Sequence, residues 1–278
     1  MESMLIQVGA LTAFACGLML VLWFVQRAIK DAGVVDVGWS FSLGASAAIF
    51  ALLADGDPGR RVLIAVLAGI WGTRLALHLL TDRVLKGEED GRYQDLRESI
   101  GPEKIQGFFF LFFQAQALSV VVLALPFLLI ANDTRPFPGV LDYVGVGLWV
   151  IGVGGESLAD WQLRKFKKDP GAKGRTCRVG LWRYSRHPNY FFEWIIWVSY
   201  AVLAFAAPWG WLGVLSPLII LFLVLKVTGI PPTEKRAIKS RGEDYRRYQQ
   251  ETSAFFPWFP KKPAKPLNAD GTPATERR

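Results

Sequence analysis

The chain has 278 residues, 51% of them hydrophobic and 13% aromatic, with 32 Lys/Arg against 24 Asp/Glu for a formal charge of +8. Two cysteines and two histidines are too few for a disulfide framework, a zinc site or a histidine-rich di-iron centre. The positive charge does not mark a nucleic-acid binder, because it crowds the edges of apolar segments and no RNA- or DNA-reading pattern accompanies it.

Seven apolar runs fall at about 4–26, 33–54, 62–82, 107–131, 139–161, 188–207 and 209–230. Each is near the ~20 residues a helix needs to cross ~30 Å of hydrocarbon. The reading is an all-α, polytopic integral membrane protein with seven transmembrane helices in one bundle over residues 1–260, and a polar, Pro-rich disordered tail over 261–278. The first run lacks a basic flank and a small-residue cleavage site, so it is expected to be a retained span. The connections after runs one, three and five and the tail after run seven carry 2, 5, 9 and 11 Lys/Arg, against three on the other side. That asymmetry predicts an outside N-terminus and a cytoplasmic C-terminus; the membrane itself is expected to be a bacterial inner membrane rather than the endoplasmic reticulum. Anionic lipid and a phosphorylated cofactor are the expected partners, and the protein is expected to be a monomer.

Ionisable groups inside such runs cost ~2.5 to 3.5 kcal/mol each, so they mark candidate sites. In chain order, Asp36 with Trp39 and Ser40 opens the second run, either as a helix cap or as a functional carboxylate. Arg74 and His78 share a face of the third, with Trp71 one turn earlier; a structural ion pair is the alternative. The mixed-charge stretch 83–106 predicts a helix outside the bilayer. Glu156, Asp160 and Arg164 recur at four-residue spacing and put two carboxylates and an arginine on one helix face. A basic loop, Gln162 to His187, follows and holds Cys177, whose cationic surroundings predict a reactive thiol. It leads into GLWRYSRHPNYFFEWIIW, where Arg183, Tyr184, Arg186, His187, Asn189 and Tyr190 offer donors to a phosphate-bearing ligand, and Asn189 and Glu193 lie one turn apart. The alternative there is a polybasic anchor ahead of an ordinary span. Helical spacing runs from Glu234 to Gln250, after which Phe255, Phe256, Trp258 and Phe259 form an expected interfacial belt. No GxGxxG precedes a helix, so a nucleotide would need a helical cavity and not a Rossmann domain.

The stretch GLWRYSRHPNYFFEWIIW, with ESLADWQLRKFK before it and GEDYRRYQQETSAFFPWFP after it, resembles the membrane superfamily of steroid 5-alpha-reductases, above all its bacterial members. Isoprenylcysteine and phospholipid methyltransferases are similar over the same region, at RHPNY and EDYRRY. The likeness covers about residues 140–260. It implies a seven-helix enzyme that takes NADPH from the cytosol and a sterol-like enone from the lipid. By the resemblance, Glu156, Asp160 and Arg164 help hold the nicotinamide-ribose end, and Tyr184, Asn189 and Glu193 match further family positions. Arg74 matches a third-span arginine, and Lys226 is expected to approach cofactor phosphate. Asp36 and Trp71 stand where a Gln-Glu pair and a Tyr bracket the substrate ketone in human-type enzymes. The segment LKVTGIPPTEKR replaces the family's His-rich stretch.

Such a reaction sends a hydride to the β-carbon of an enone and needs a donor waiting at the carbonyl oxygen. The candidate donors are Asp36, if its apolar surroundings protonate it, the indole N–H groups of Trp39 and Trp71, and Tyr184. The cations between Arg164 and Arg186, among them Lys173, Arg175 and Arg183, are expected to clamp the adenosine phosphates. The alternatives are an S-adenosylmethionine-dependent lipid or prenylcysteine methyltransferase and a non-catalytic lipid-binding or transport protein. No metal is expected.

Overall fold

A computed structural model of the protein describes residues 2–87 and 89–261; the expected disordered tail lies, from residue 262 on, outside the described residues. Among the described residues there is no strand. The helices are α1 (Glu2–Ile29), α2 (Val34–Leu53), α3 (Pro58–Asp82), α4 (Gly91–Ile100), α5 (Ile105–Leu123), α6 (Leu125–Ala131), α7 (Val140–Lys167), α8 (Pro188–Phe205), α9 (Leu215–Phe222), α10 (Ile230–Arg241) and α11 (Glu243–Glu251).

Their ends follow local chemistry. Asp57 caps α3 by accepting from the backbone N–H groups of Gly59 and Arg60, with Pro58 in the first turn. Asp90 caps α4 through Arg92 N–H. The expected fourth span is helical but divided, because Pro126 in the first turn of α6 cannot continue the α5 hydrogen-bond ladder. The seventh is divided into a 3-10 turn, α9 and a π-helical turn over Leu223–Val227. The single helix expected over Glu234 to Gln250 is two, broken at Gly242, whose φ of 54° suits a residue without Cβ. The helix expected between the third and fourth spans is α4.

Among the described residues, five helical segments are long and apolar enough to cross a membrane: Glu2–Ile29, Val34–Leu53, Pro58–Asp82, Ile105–Ala131 and Gly210–Arg241. The expected fifth and sixth spans are present as α7 and α8 but are not among these five. The reason is compositional: α7 carries Asp142, Glu156 and Asp160, and α8 carries Asn189 and Glu193.

The chain divides into two units, residues 1–150 with 195–221 and residues 151–194 with 222–278. In the first, α2 packs chiefly on α3, and α1 on α5 and α2. A Cβ on Gly72 would stand 2.7 Å from the Gly44 Cα, so these two residues let the α2 and α3 backbones meet. Trp71, Phe127, Trp197 and Tyr200 form an aromatic knot, and Trp149 donates its indole N–H to the Tyr200 hydroxyl at 3.1 Å. Arg60, 4% exposed, is held by Asp142 at 2.8 Å and Asp133 at 2.9 Å.

The second unit ties the basic loop to α7 and α11. Trp182 donates its indole N–H to the Ala159 carbonyl at 2.9 Å, and Leu181 N–H reaches the Gln162 side chain. Tyr248 donates to the Trp182 and Ser185 carbonyls. Arg178 pairs with Asp244 and Glu251, and Asp244 also takes Thr176 N–H at 2.7 Å. Ser185 and Ser253 form a short parallel bridge, beyond which Trp258 N–H donates to the Tyr184 carbonyl at 2.9 Å.

Candidate functional site

In the second unit, α7 presents Glu156 and Asp160, 5% and 7% exposed, at the four-residue spacing that puts both on one face. Gly155 leaves room for the Phe192 ring, which a Cβ there would meet at 2.3 Å, and so admits the start of α8 against this face. Asn189 Nδ2 donates to Asp160 Oδ1 at 3.2 Å, while its own Oδ1 accepts Tyr190 N–H. Glu193, half-buried, follows one turn along α8. Two carboxylates and an amide thus meet at a buried face of α7. Arg164, the third member of the expected face, is exposed beyond Asp160, as are Arg183 and Tyr184 on the loop. Tyr184 is 37% exposed and meets the Phe259 ring edge-on.

Arg186 and His187 are engaged differently from the expectation that they face a ligand phosphate. Arg186 donates through Nε to Glu234 at 2.7 Å and through Nη1 to the Gln249 and Thr252 carbonyls at the end of α11. His187, 3% exposed, lies 3.2 Å from the same Glu234 oxygen and stacks on Tyr190. Glu234 also accepts from Tyr245 and Gln249. Burial pushes the His187 imidazole below its ordinary range, and the Glu234 contact only partly offsets this. These two residues are therefore the centre of a clamp between α8, α10 and α11. Glu234, Tyr245 and Gln249 were given no site role from the sequence; their signals are the helical repeat of Glu234 through Gln250 and the EDYRRY stretch that holds Tyr245.

Lys173 and Arg175 line a cleft of about 630 Å³ with Leu163, Phe166, Lys167, Lys168 and Arg241. None of Glu156, Asp160, Arg183, Tyr184, Asn189 or Glu193 lines it. Lys226 is exposed on the π-helical turn. Cys177 is 2% exposed, and burial pushes its thiol up despite nearby Arg241 and Lys167, which corrects the expectation of a reactive cysteine. Phe255, expected in an interfacial belt, is buried at 3% against Phe191 and Trp194, whereas Phe256, Trp258 and Phe259 are exposed.

The remaining candidates belong to the first unit. Asp36 accepts from Tyr93 hydroxyl at 2.9 Å, Arg92 Nη2 at 2.8 Å and Arg83 Nη1 at 3.2 Å. Two guanidiniums and a phenol thus occupy Asp36, which corrects the expectation of a carboxyl standing ready for a substrate carbonyl. Asp90 joins the cluster through Arg92 and Arg83. Burial raises the Asp90 carboxyl, but its hydrogen bonds from Arg92 and the charges of Arg92 and Arg83 win and hold it at about 2. Arg83, Asp90, Arg92 and Tyr93 were missed in the sequence because only the chain's return past α3 brings them to Asp36. Trp39 donates its indole N–H to Ser119 at 2.9 Å, and Trp71 is fully buried among Trp197 and Tyr200. Arg74 is half-buried on α3, and His78 pairs with Asp82 at 3.8 Å. Neither tryptophan stands ready as a donor to a substrate carbonyl.

Comparison with known proteins adds the family. A Schizosaccharomyces pombe protein described as "Uncharacterized protein C594.04c" is 29% identical over 287 residues, covering 90% of this chain and 79% of the yeast protein. No solved structure matches. A family model described as "Protein of unknown function (DUF1295)" matches residues 22–252, the whole of both carboxylate-bearing clusters included, and the chain belongs to this DUF1295 family.

Proposed function

We propose that the protein is a membrane reductase that transfers a hydride from NADPH to the activated C=C bond of a lipid enone, of which a 3-oxo-Δ4-steroid is the model substrate. The observation that carries this reading is the buried face of α7, where Glu156 and Asp160 meet Asn189 of α8. In this reading those groups accept from the ribose hydroxyls and carboxamide at the nicotinamide end, with Glu193 beside them. Arg164 and Arg183 supply cations for the phosphates, and Tyr184 is the remaining candidate donor to the substrate oxygen, since Asp36, Trp39 and Trp71 have partners of their own. The five apolar helices fit a substrate drawn from the bilayer, and the basic loops fit a cofactor reached from the cytoplasm.

The resemblance to methyltransferases rests on RHPNY and EDYRRY, and Arg186 and His187 of the first stretch are tied to Glu234. The Glu156, Asp160 and Arg164 spacing on α7 favours the reductase. The discriminating experiment is thermal unfolding of the purified protein in micelles with NADPH, NADH or S-adenosylmethionine. The expectation is stabilisation by NADPH that Asp160→Ala reduces; stabilisation by S-adenosylmethionine alone selects the methyltransferase.

A further inference from the structure

We infer that the basic cleft at the end of α7 is a binding site for an anionic phospholipid, separate from the cofactor. Its lining joins two chemistries. Lys167, Lys168, Lys173, Arg175 and Arg241 supply five cations against one carboxylate, Asp169, and that carboxylate accepts Gly171 N–H at 2.9 Å. Leu163 and Phe166 add apolar surface on the same wall. An amphiphile with a charged phosphate and an acyl chain satisfies both; a small free anion leaves the apolar wall unused.

The position of the cleft selects the lipid. It sits where a long helix with an apolar first half ends in Arg164, Lys165 and Lys167, the composition of a segment passing from hydrocarbon into headgroups. Trp161, on the same stretch of α7 but outside the cleft lining, is 52% exposed, and Lys165 Nζ lies over its ring at 5.3 Å. An exposed tryptophan under an ammonium group is the pairing expected at the depth of lipid headgroups. Lys167, Lys168, Lys173 and Arg175 are all exposed, so the cleft opens to the surface where a headgroup would arrive. The volume of about 630 Å³ exceeds what a bare phosphate fills and is within the range of pockets for molecules of lipid-headgroup size. The residues assigned to the nicotinamide end do not line the cleft, whereas Lys173 and Arg175, expected from the sequence at the adenosine phosphates, do, so the NADPH arm of the test separates the two uses.

The test uses the full chain in nanodiscs of phosphatidylcholine with or without phosphatidylglycerol, and native mass spectrometry to count retained lipids. Wild-type protein is expected to retain phosphatidylglycerol over phosphatidylcholine, less so at high salt. Lys168→Gln/Arg241→Gln is expected to weaken that preference roughly thirtyfold, at ~1 kcal/mol per surface cation. Lys168→Arg/Arg241→Lys keeps both charges and is expected to keep the preference, which separates charge from folding. NADPH affinity of an Arg241→Gln single variant, which leaves the loop between Arg164 and Arg186 intact, is measured in parallel and is expected to match wild type. Equal retention of the two lipids, or the same preference in the Gln double variant, overturns the inference. So does a tenfold or greater loss of NADPH affinity in the single variant, or displacement of the lipid by NADPH, either of which gives the cleft to the nucleotide. Should wild-type protein bind no NADPH at all, the reductase reading fails while the lipid comparison still decides this one.

Discussion

Asp160 and Glu234 show how differently two acidic side chains can be used in one protein. Asp160 accepts from the Asn189 amide at 3.2 Å on the buried α7 face that is proposed to meet the cofactor. Glu234 accepts from Arg186, Tyr245 and Gln249 and lies against His187, so its capacity is filled by the protein. Asp160→Ala is therefore expected to keep the fold and to weaken NADPH binding by ten- to a hundredfold, the value of about 1.5 to 3 kcal/mol for a charge-assisted hydrogen bond; isothermal titration checks this. Glu234→Gln is expected to do the reverse. Removing the charge leaves Arg186, only 11% exposed, without its counter-ion, and a loss of about 3 kcal/mol should appear as a melting point several degrees lower. The spacing of Glu156 and Asp160 was legible because four residues on a helix is local geometry. Their meeting with Asn189, 29 residues away, depends on how α7 and α8 pack, and a side-chain pattern carries no such information. The same holds for Arg186, whose cationic character suggested a phosphate while its partner lay 48 residues further on.

At the scale of elements, the sequence marked most helices and misjudged their breaks. Pro126 and Gly242 were both visible signals, but apolar or helical periodicity on either side concealed them; the chain can resume the same pattern after a break. Phe255 and Phe256 are adjacent aromatics with opposite fates, one buried and one exposed, because a turning segment points neighbours to different sides. The α2–α3 contact was not legible, since Gly44 and Gly72 read as ordinary members of apolar runs. Gly72→Ala is expected to force these helices apart at a cost of about 1 to 3 kcal/mol, measurable as lower thermal stability with unchanged secondary structure by circular dichroism. α4 is held to the ends of α2 and α3 by the cluster of Asp36, Arg83, Asp90, Arg92 and Tyr93. The Asp90 carboxyl falls from an ordinary 3.8 to about 2 on folding, so its contribution is complete above pH 3.8 and is lost as the pH drops toward 2. Asp90→Asn is expected to flatten the acid limb of a melting-point against pH curve, by about 2 kcal/mol over that window.

At the scale of the whole molecule, hydropathy points to a membrane protein, and among the described residues five helices meet the length and composition of a span where seven were expected. The two helices that fall short, α7 and α8, are those on which the proposed site is built. The coincidence has a physical cause: a helix that must bring carboxylates and an amide to a polar ligand cannot also be uniformly apolar. Each unit holds ionic clusters of its own, among them those around Asp36 in the first and Glu234 in the second, whose members satisfy one another.

The central claim is that the α7 face serves a hydride donor. Its direct measurement is isotope transfer: purified protein in lipid nanodiscs receives NADPH deuterated at the reactive nicotinamide carbon together with progesterone, and the products are analysed by mass spectrometry. The account predicts NADPH oxidation, one deuterium on the carbon β to the carbonyl, and loss of both with Asp160→Ala. Wild-type protein that leaves NADPH unoxidised across a panel of lipid enones, or an Asp160→Ala protein that transfers deuterium as fast as wild type, would contradict it.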